Sequence, residues 1–273
     1  QATAWVNSLI AGLGGSLNGC GSPLRLCIAL PGRVRDGVPI SVLPEPLATV
    51  SDDALATGLA ARLGIEVMLE TDADMALAGV TSLGYLDPSE AAVLFTLSTA
   101  LTVSTRTRLG LVQARTSAFG DFAALPVTVA EAGGESEGDT VPMGSLLSVR
   151  GITEYAVSRG IALERTSELW LGEDPAIVRV RQAFAAALES AILVAAITTD
   201  PEVAVLTGRL APLASLVLPE LRERLAQRLS DPPTLLVPGA DDNGLTTALG
   251  AAHTALAIER TRFVDRVREA PIS

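Results

Sequence analysis

Lysine is missing from the chain of 273 residues: all 20 basic residues are arginine, set against 31 Asp and Glu, for a net charge of −11. The lysine that grips phosphates in a P-loop is thereby excluded, and no basic patch is dense enough for this chain to hold DNA by itself. Histidine occurs once, at His253, and cysteine twice, at Cys20 and Cys27. Those counts rule out a multi-histidine metal site, a zinc-finger spacing and a disulfide scaffold. With a single imidazole and no G-x-S-x-G elbow, a serine hydrolase is excluded too. Aromatic residues make up 3% of a chain that is 48% hydrophobic, so the core must be built from Ala, Val, Leu and Ile. That favours helices packed on sheets over an aromatic-rich sandwich. Cys27, within the apolar run LRLCIAL, reads as a buried reduced thiol. The longest apolar stretch, AFAAALESAILVAAI, is interrupted by Glu189 short of the roughly 18 residues of a membrane span, and the N-terminus lacks a basic region followed by a cleavage site. A soluble cytoplasmic protein without membrane contact is the expectation.

What is present is an alternation of strand and helix signals. PLRLCIALPG reads as a buried strand stopped by Pro31 and Gly32, preceded by an opening helix in ATAWVNSLIAGL. SDDALATGLAARLG has Ser51 as N-cap and Gly64 as a C-terminal stop. IEVMLE then reads as a strand and DADMALAGVTSLG as a helix. From 91 to 129 the Thr-, Val- and Leu-rich texture suits consecutive strands of a meander. Residues 130–142, acidic and glycine-rich, read as a loop. Helices follow near 145–160, 173–197, 210–229 and 243–268, with strands at EVAVLTG and TLLVPG. The length exceeds a comfortable single core, and the change of texture places a smaller N-terminal lobe at 1–86, with the closing helix of about 245–273 packing back on it. A larger C-terminal lobe covers 87–244 and carries a dimerisation surface.

Two stretches invite chemistry. The glycines of residues 11–22 suggest a phosphate loop, but a helix precedes them and a strand follows, whereas a phosphate cradle lies between a strand and a helix N-terminus. The second stretch, IEVMLETDADMALAG, spaces Glu70, Asp72 and Asp74 at alternate positions. A strand ending at Glu70 and a helix starting after Asp72 put Asp72 at the lip of a sheet, where α/β proteins bind ligands. Capping of the helix by Asp72 is the competing explanation. For Asp74, a favourable contact with the helix dipole suffices.

Taken in order, these segments resemble the ROK family of bacterial sugar kinases and sugar-responsive repressors. CIALPGRVRDG resembles the family strand that ends in Pro-Gly and a short acidic turn, and ETDADMAL is similar to its E-N-D-A-N-A-A segment. FGDFAALPV resembles A-G-E-I-G-H-L-P-V, while PEVAVLTGRLA and GADDNGLTTALGAAHTAL resemble the closing region. The resemblance implies an α/β, two-lobed actin-like (ribonuclease H-like) fold, incomplete at the N-terminus, with the family's opening strands and first phosphate turn missing. It implies that Asp72 falls on the general base that takes a proton from a sugar hydroxyl, and that Asp121 replaces a sugar-binding Glu. Thr71 and Asp74 would support them. Ala124 stands in place of the histidine that contacts sugar and ligates zinc, and no cysteine occupies the zinc loop expected near 130–145. Ser145 and Leu147 lie where the last Cys and a sugar-contacting Glu are expected. The structural zinc is therefore expected to be absent, with no other cofactor. The glycine-rich phosphate turn is replaced by STALTVST, residues 98–105, against ATP and magnesium binding. The implied protein is the effector-binding, dimerising region of a ROK-type transcriptional regulator with a degenerate, non-catalytic sugar site. It would form a homodimer or tetramer and reach DNA only through a helix-turn-helix outside this chain. A glucokinase-like, ATP-dependent sugar kinase using Asp72 as base is the enzymatic alternative, and a structural dimer module without ligand is a third.

Overall fold

The computed structural model describes residues 25–40, 54–129, 138–239 and 244–269. The opening helix, the glycine-rich segment at 11–22, the Ser51 cap and residues 130–137 of the acidic loop lie outside them. Two compact units emerge: one takes in the described residues of Gln1–Leu86, Gln113–Phe119 and Leu245–Ser273, the other those of Asp87–Val112 and Gly120–Gly244.

In the first unit, β1 (Arg25–Leu30) lies parallel to β4 (Glu66–Thr71), with Leu30 opposite Thr71. Between them come a small hairpin, β2 (Val34–Arg35) with β3 (Val38–Pro39), and helix α1 (Ala54–Leu63). The sequence reading missed the hairpin. Its signal is Asp36-Gly37, both at positive φ (51° and 75°), the pairing a tight two-residue turn of this hand demands. Helix α2 (Asp72–Ser82) follows β4 without a break. Leu30, Val34, Leu55, Leu59 and Leu69 are buried together, each contributing about 1.5–3 kcal/mol through removal from water.

The second unit is built on a five-stranded sheet whose strands run, in order across it, Thr234–Leu236, Val203–Thr207, Ala92–Leu97, Leu101–Thr107 and Gly110–Leu111. Strands β5 (Ala92–Leu97), β6 (Leu101–Thr107) and β7 (Gly110–Leu111) form an antiparallel meander. The meander ends there: β8 (Pro126–Val129) pairs instead with β9 (Asp139–Pro142), in a separate ribbon. Residues 139–142, expected as loop, are thus a strand, because Thr140 and Val141 find partners in Thr128 and Val127. Helix α3 (Val149–Ser158) is capped by Ser148, whose hydroxyl accepts from the Gly151 N–H at 3.1 Å, and a short α4 (Glu168–Leu171) follows.

Helix α5 (Pro175–Thr199) starts at an Asp174 cap with Pro175 in the first turn. It is the one helix among the described residues long and apolar enough to cross a membrane. Here it serves the core: Ala183, Ala187, Ala191 and Ala195 repeat every fourth residue, and Phe184, Leu188 and Ile192 beside them are fully buried. Glu189, also buried, is ion-paired to Arg228 at 2.7 Å and to Arg224 at 3.4 Å. Strand β10 (Val203–Thr207), buried at every position between parallel neighbours β5 and β11 (Thr234–Leu236), precedes helix α6 (Ala211–Arg228).

The chain then returns to the first unit as α7 (Leu245–Glu269), which packs along α2. The helices touch backbone to backbone. A Cβ on Gly250 would sit 1.8 Å from the Met75 carbonyl oxygen, and one on Gly79 would sit 1.9 Å from that of Thr246. At the other end of the contact, Arg25 on β1 bonds both Glu66 and Glu259, and Arg262 reaches Glu66 as well, tying β1, β4 and α7 together.

Candidate functional site

The site builds on the point where β1 and β4 end side by side. After Leu30, Pro31 stops the first strand and Gly32 turns the chain at φ 125°, a conformation residues with a Cβ rarely adopt. That turn brings the Gly32 N–H onto the carboxylate of Asp72. From the following hairpin, the Val34 N–H donates to the Thr71 hydroxyl at 3.0 Å, in the interior of the unit. The two strand ends are thus fastened to each other.

The helix starts at Asp72, not after it, and its N-cap is Thr71, in extended conformation and without a side-chain capping bond. The capping assignment for Asp72 is therefore corrected. Its Oδ1 accepts from the N–H of the next residue, Ala73, at 2.7 Å, and Thr71, the true cap position, has its hydroxyl committed to Val34. With those bonds and the neighbouring Arg33 all favouring the carboxylate, Asp72 still has its pKa raised to about 6. Burial is the dominant cause, and the adjacent Asp74 adds to it. Asp74 is itself buried in the first turn of α2, where the positive end of the helix dipole favours it. Glu70 is also pushed up, by burial and then by the charge of Asp74.

Thr71, Asp72 and Asp74 thus come together at one junction. Asp121 belongs to the second unit, exposed at the start of a 3-10 turn over Phe122–Ala124 and making no capping bond. Leu147 is fully buried in the apolar core of its unit, so it offers nothing to a ligand. Sequence reasoning passed over Gly32 and Arg33 as functional neighbours of Asp72. Their signal was the Pro-Gly that stops β1, read only as a terminator. Cys27 is partly rather than fully buried, yet burial, with the charge of Glu70 adding, holds its thiol up at about 12. It is no nucleophile near neutral pH.

Among the described residues no group of three His, Cys, Asp or Glu is placed to hold a metal ion. The nucleotide side can be tested on the β5–β6 hairpin. Leu97 faces Leu101 in register, leaving a three-residue loop of Ser98, Thr99 and Ala100, none at positive φ. An anion nest needs backbone N–H groups converged by alternating right- and left-handed residues. This loop has none of the left-handed kind.

No family model and no curated protein matches the sequence. Solved structures do. The ROK hexokinase from Thermus thermophilus superposes with a TM-score of 0.69 at 21% identity, covering 93% of this chain and 87% of that one. The ROK family glucokinase from Streptomyces griseus, in complex with glucose and AMPPNP, gives 0.68 at 22% identity, covering 93% and 88%. The chain has the actin-like α/β fold of the ROK proteins. A ROK family transcriptional regulator homologous to the E. coli MLC protein gives 0.73 at 15% identity, covering 92% of this chain and 68% of that one. Kinases and regulator share the fold, so the fold alone does not divide them.

Proposed function

We propose that this chain is the effector-binding and dimerisation region of a ROK-type transcriptional regulator, with a sugar site that binds but does not phosphorylate. The observation that carries this reading is the β5–β6 loop, Ser98 to Ala100, which has no left-handed residue to close a backbone nest on phosphate. Phosphoryl transfer rests on positioning and charge stabilisation of the moving group, so without that nest most of the rate is lost. Recognition needs much less: a carboxylate held at a strand-to-helix junction suffices to accept hydrogen bonds from a polyol. Asp72 takes that role, and Thr71 and Asp74 hold the junction in shape. Under this reading the protein is a cytoplasmic homodimer or tetramer without zinc. A DNA-binding region outside this chain responds when the sugar shifts the population of two arrangements.

One observation favours the kinase alternative. A carboxylate with a pKa of about 6 is well matched to take a proton from a sugar hydroxyl near neutral pH. Calorimetric titration with hexoses, amino sugars and their phosphates, alongside a coupled assay for ADP release, separates the two. Saturable sugar binding lost in Asp72→Asn, with no turnover, supports the regulator. Turnover abolished by Asp72→Asn makes the chain a kinase. Absence of binding by every sugar overturns both and leaves a structural module.

A further inference from the structure

The second unit contains a cavity of about 710 Å³, lined entirely by its own residues and within the size range of small-molecule sites. Its floor is the N-terminal half of α5, where Ala176, Val180 and Ala183 follow helical spacing and present small side chains. Three arginines line it from three different elements: Arg159 at the end of α3, Arg179 on α5 and Arg224 on α6.

Two of the three are held in place. Arg159 lies over the Tyr155 ring, 5.2 Å from its centre, and pairs with Asp139. Arg224 uses one N–H group on Glu189 and another on Glu220, and a guanidinium has five such donors. The Arg179 side chain has no hydrogen bond or ion pair among the described residues. Counting Arg228, which shares Glu189, four arginines meet three carboxylates. Arg179, on the lining of the cavity, is left without an ion-pair partner among the described residues, in a chain whose net charge is −11. Like charges that line one cavity repel one another, and an anion among them relieves that repulsion. Their planar forks match the oxygens of a phosphate two at a time. The cavity is also larger than a bare phosphate fills, and Tyr155 with the alanine floor offers an apolar wall to an organic body.

We infer that this cavity binds a small organic phosphate, its phosphoryl group on Arg179 and Arg224 and its carbon skeleton against Tyr155 and Ala183. The inference does not rest on the sugar site at Asp72.

Glycerol 3-phosphate is the probe, titrated calorimetrically into the full chain at constant ionic strength, with inorganic phosphate and sulfate in parallel. Saturable binding is expected in the wild type, tighter for the monoester than for either inorganic ion. Arg179→Gln, which breaks no contact within the fold, is expected to weaken it about tenfold, the worth of one charge-assisted hydrogen bond. Asp72→Asn is expected to leave it unchanged. Lack of saturable binding overturns the inference, as does equal affinity in Arg179→Gln. Equal affinity for glycerol 3-phosphate and sulfate removes the organic ligand and leaves only a surface ion patch.

Discussion

Two turns at strand ends, one in each unit, have been treated very differently by this sequence. At the β4–α2 junction, backbone N–H groups of Gly32 and Ala73 converge on the carboxylate of Asp72, and a buried hydroxyl locks the neighbouring hairpin. At the β5–β6 turn, none of Ser98, Thr99 and Ala100 has the positive φ by which successive N–H groups converge on an anion. The first turn is built around a charge it holds at a cost. The second is simply a way of joining two strands. The proposed function rests on this contrast, between a junction that holds a carboxylate and a turn without a backbone nest.

The contrast can be broken most forcefully at the scaffold under the first turn. Gly250→Leu forces a side chain into the space of the Met75 backbone and is expected to cost about 4 kcal/mol or more, since overpacking there cannot be relieved by rotamer change. Urea unfolding monitored by circular dichroism reads it out, and a loss below about 1 kcal/mol would mean the helices separate easily.

Next in size is Asp72→Asn. Because the folded pKa is raised, to about 6 from the ordinary 3.8, the ionised carboxylate destabilises the fold above pH 6, and this penalty disappears as pH falls below 3.8. Asn keeps the acceptor oxygen without the charge. The variant is expected to be more stable than wild type by about 2 kcal/mol at pH 7.5, discounted from the full shift for partial solvent access. The difference should shrink towards zero by pH 4. A variant no more stable at pH 7.5 would place Asp72 in water. If Asp72 also receives the sugar, wild-type affinity should fall as pH drops through 6.

Thr71→Val leaves the Val34 N–H buried without its acceptor and is expected to cost about 1–2 kcal/mol in the same assay. The smallest effect belongs to the second turn. Thr99→Gly, at an exposed position, should change stability by no more than about 1 kcal/mol and should not create sugar-phosphorylating activity, because one glycine does not rebuild a nest. Detectable ADP release from that variant would close the gap between the two turns.

Much of this was legible in one dimension. Alternating strand and helix signals, with their ordered resemblance to a family, gave the actin-like fold. ETDADMAL located Asp72 at the passage from strand to helix, since Val67 to Leu69 are apolar and Ala73 to Leu77 carry a helical pattern. The reading failed by one residue at the helix start, because Thr71, Asp72 and Asp74 are all good cap residues and only the Val34 contact distinguishes them. It failed at residues 139–142 because the acidic and glycine-rich composition next to them outweighed a short strand whose pairing with the preceding strand, Pro126–Val129, the composition did not announce.

The chain's composition by itself excluded a P-loop lysine, a multi-histidine or cysteine zinc site and a serine triad, since a missing residue type cannot be supplied by folding. Local pattern fixed most elements, because helix and strand periodicity and the backbone limits of Gly and Pro act over a few residues. Tertiary structure alone decided the rest. The raised pKa of Asp72 is a desolvation effect, set by whatever packs around it. The need for glycine at 79 and 250 appears only when two helices far apart in the chain touch. The arginine-lined cavity exists only because α3, α5 and α6 bring three scattered charges to one place.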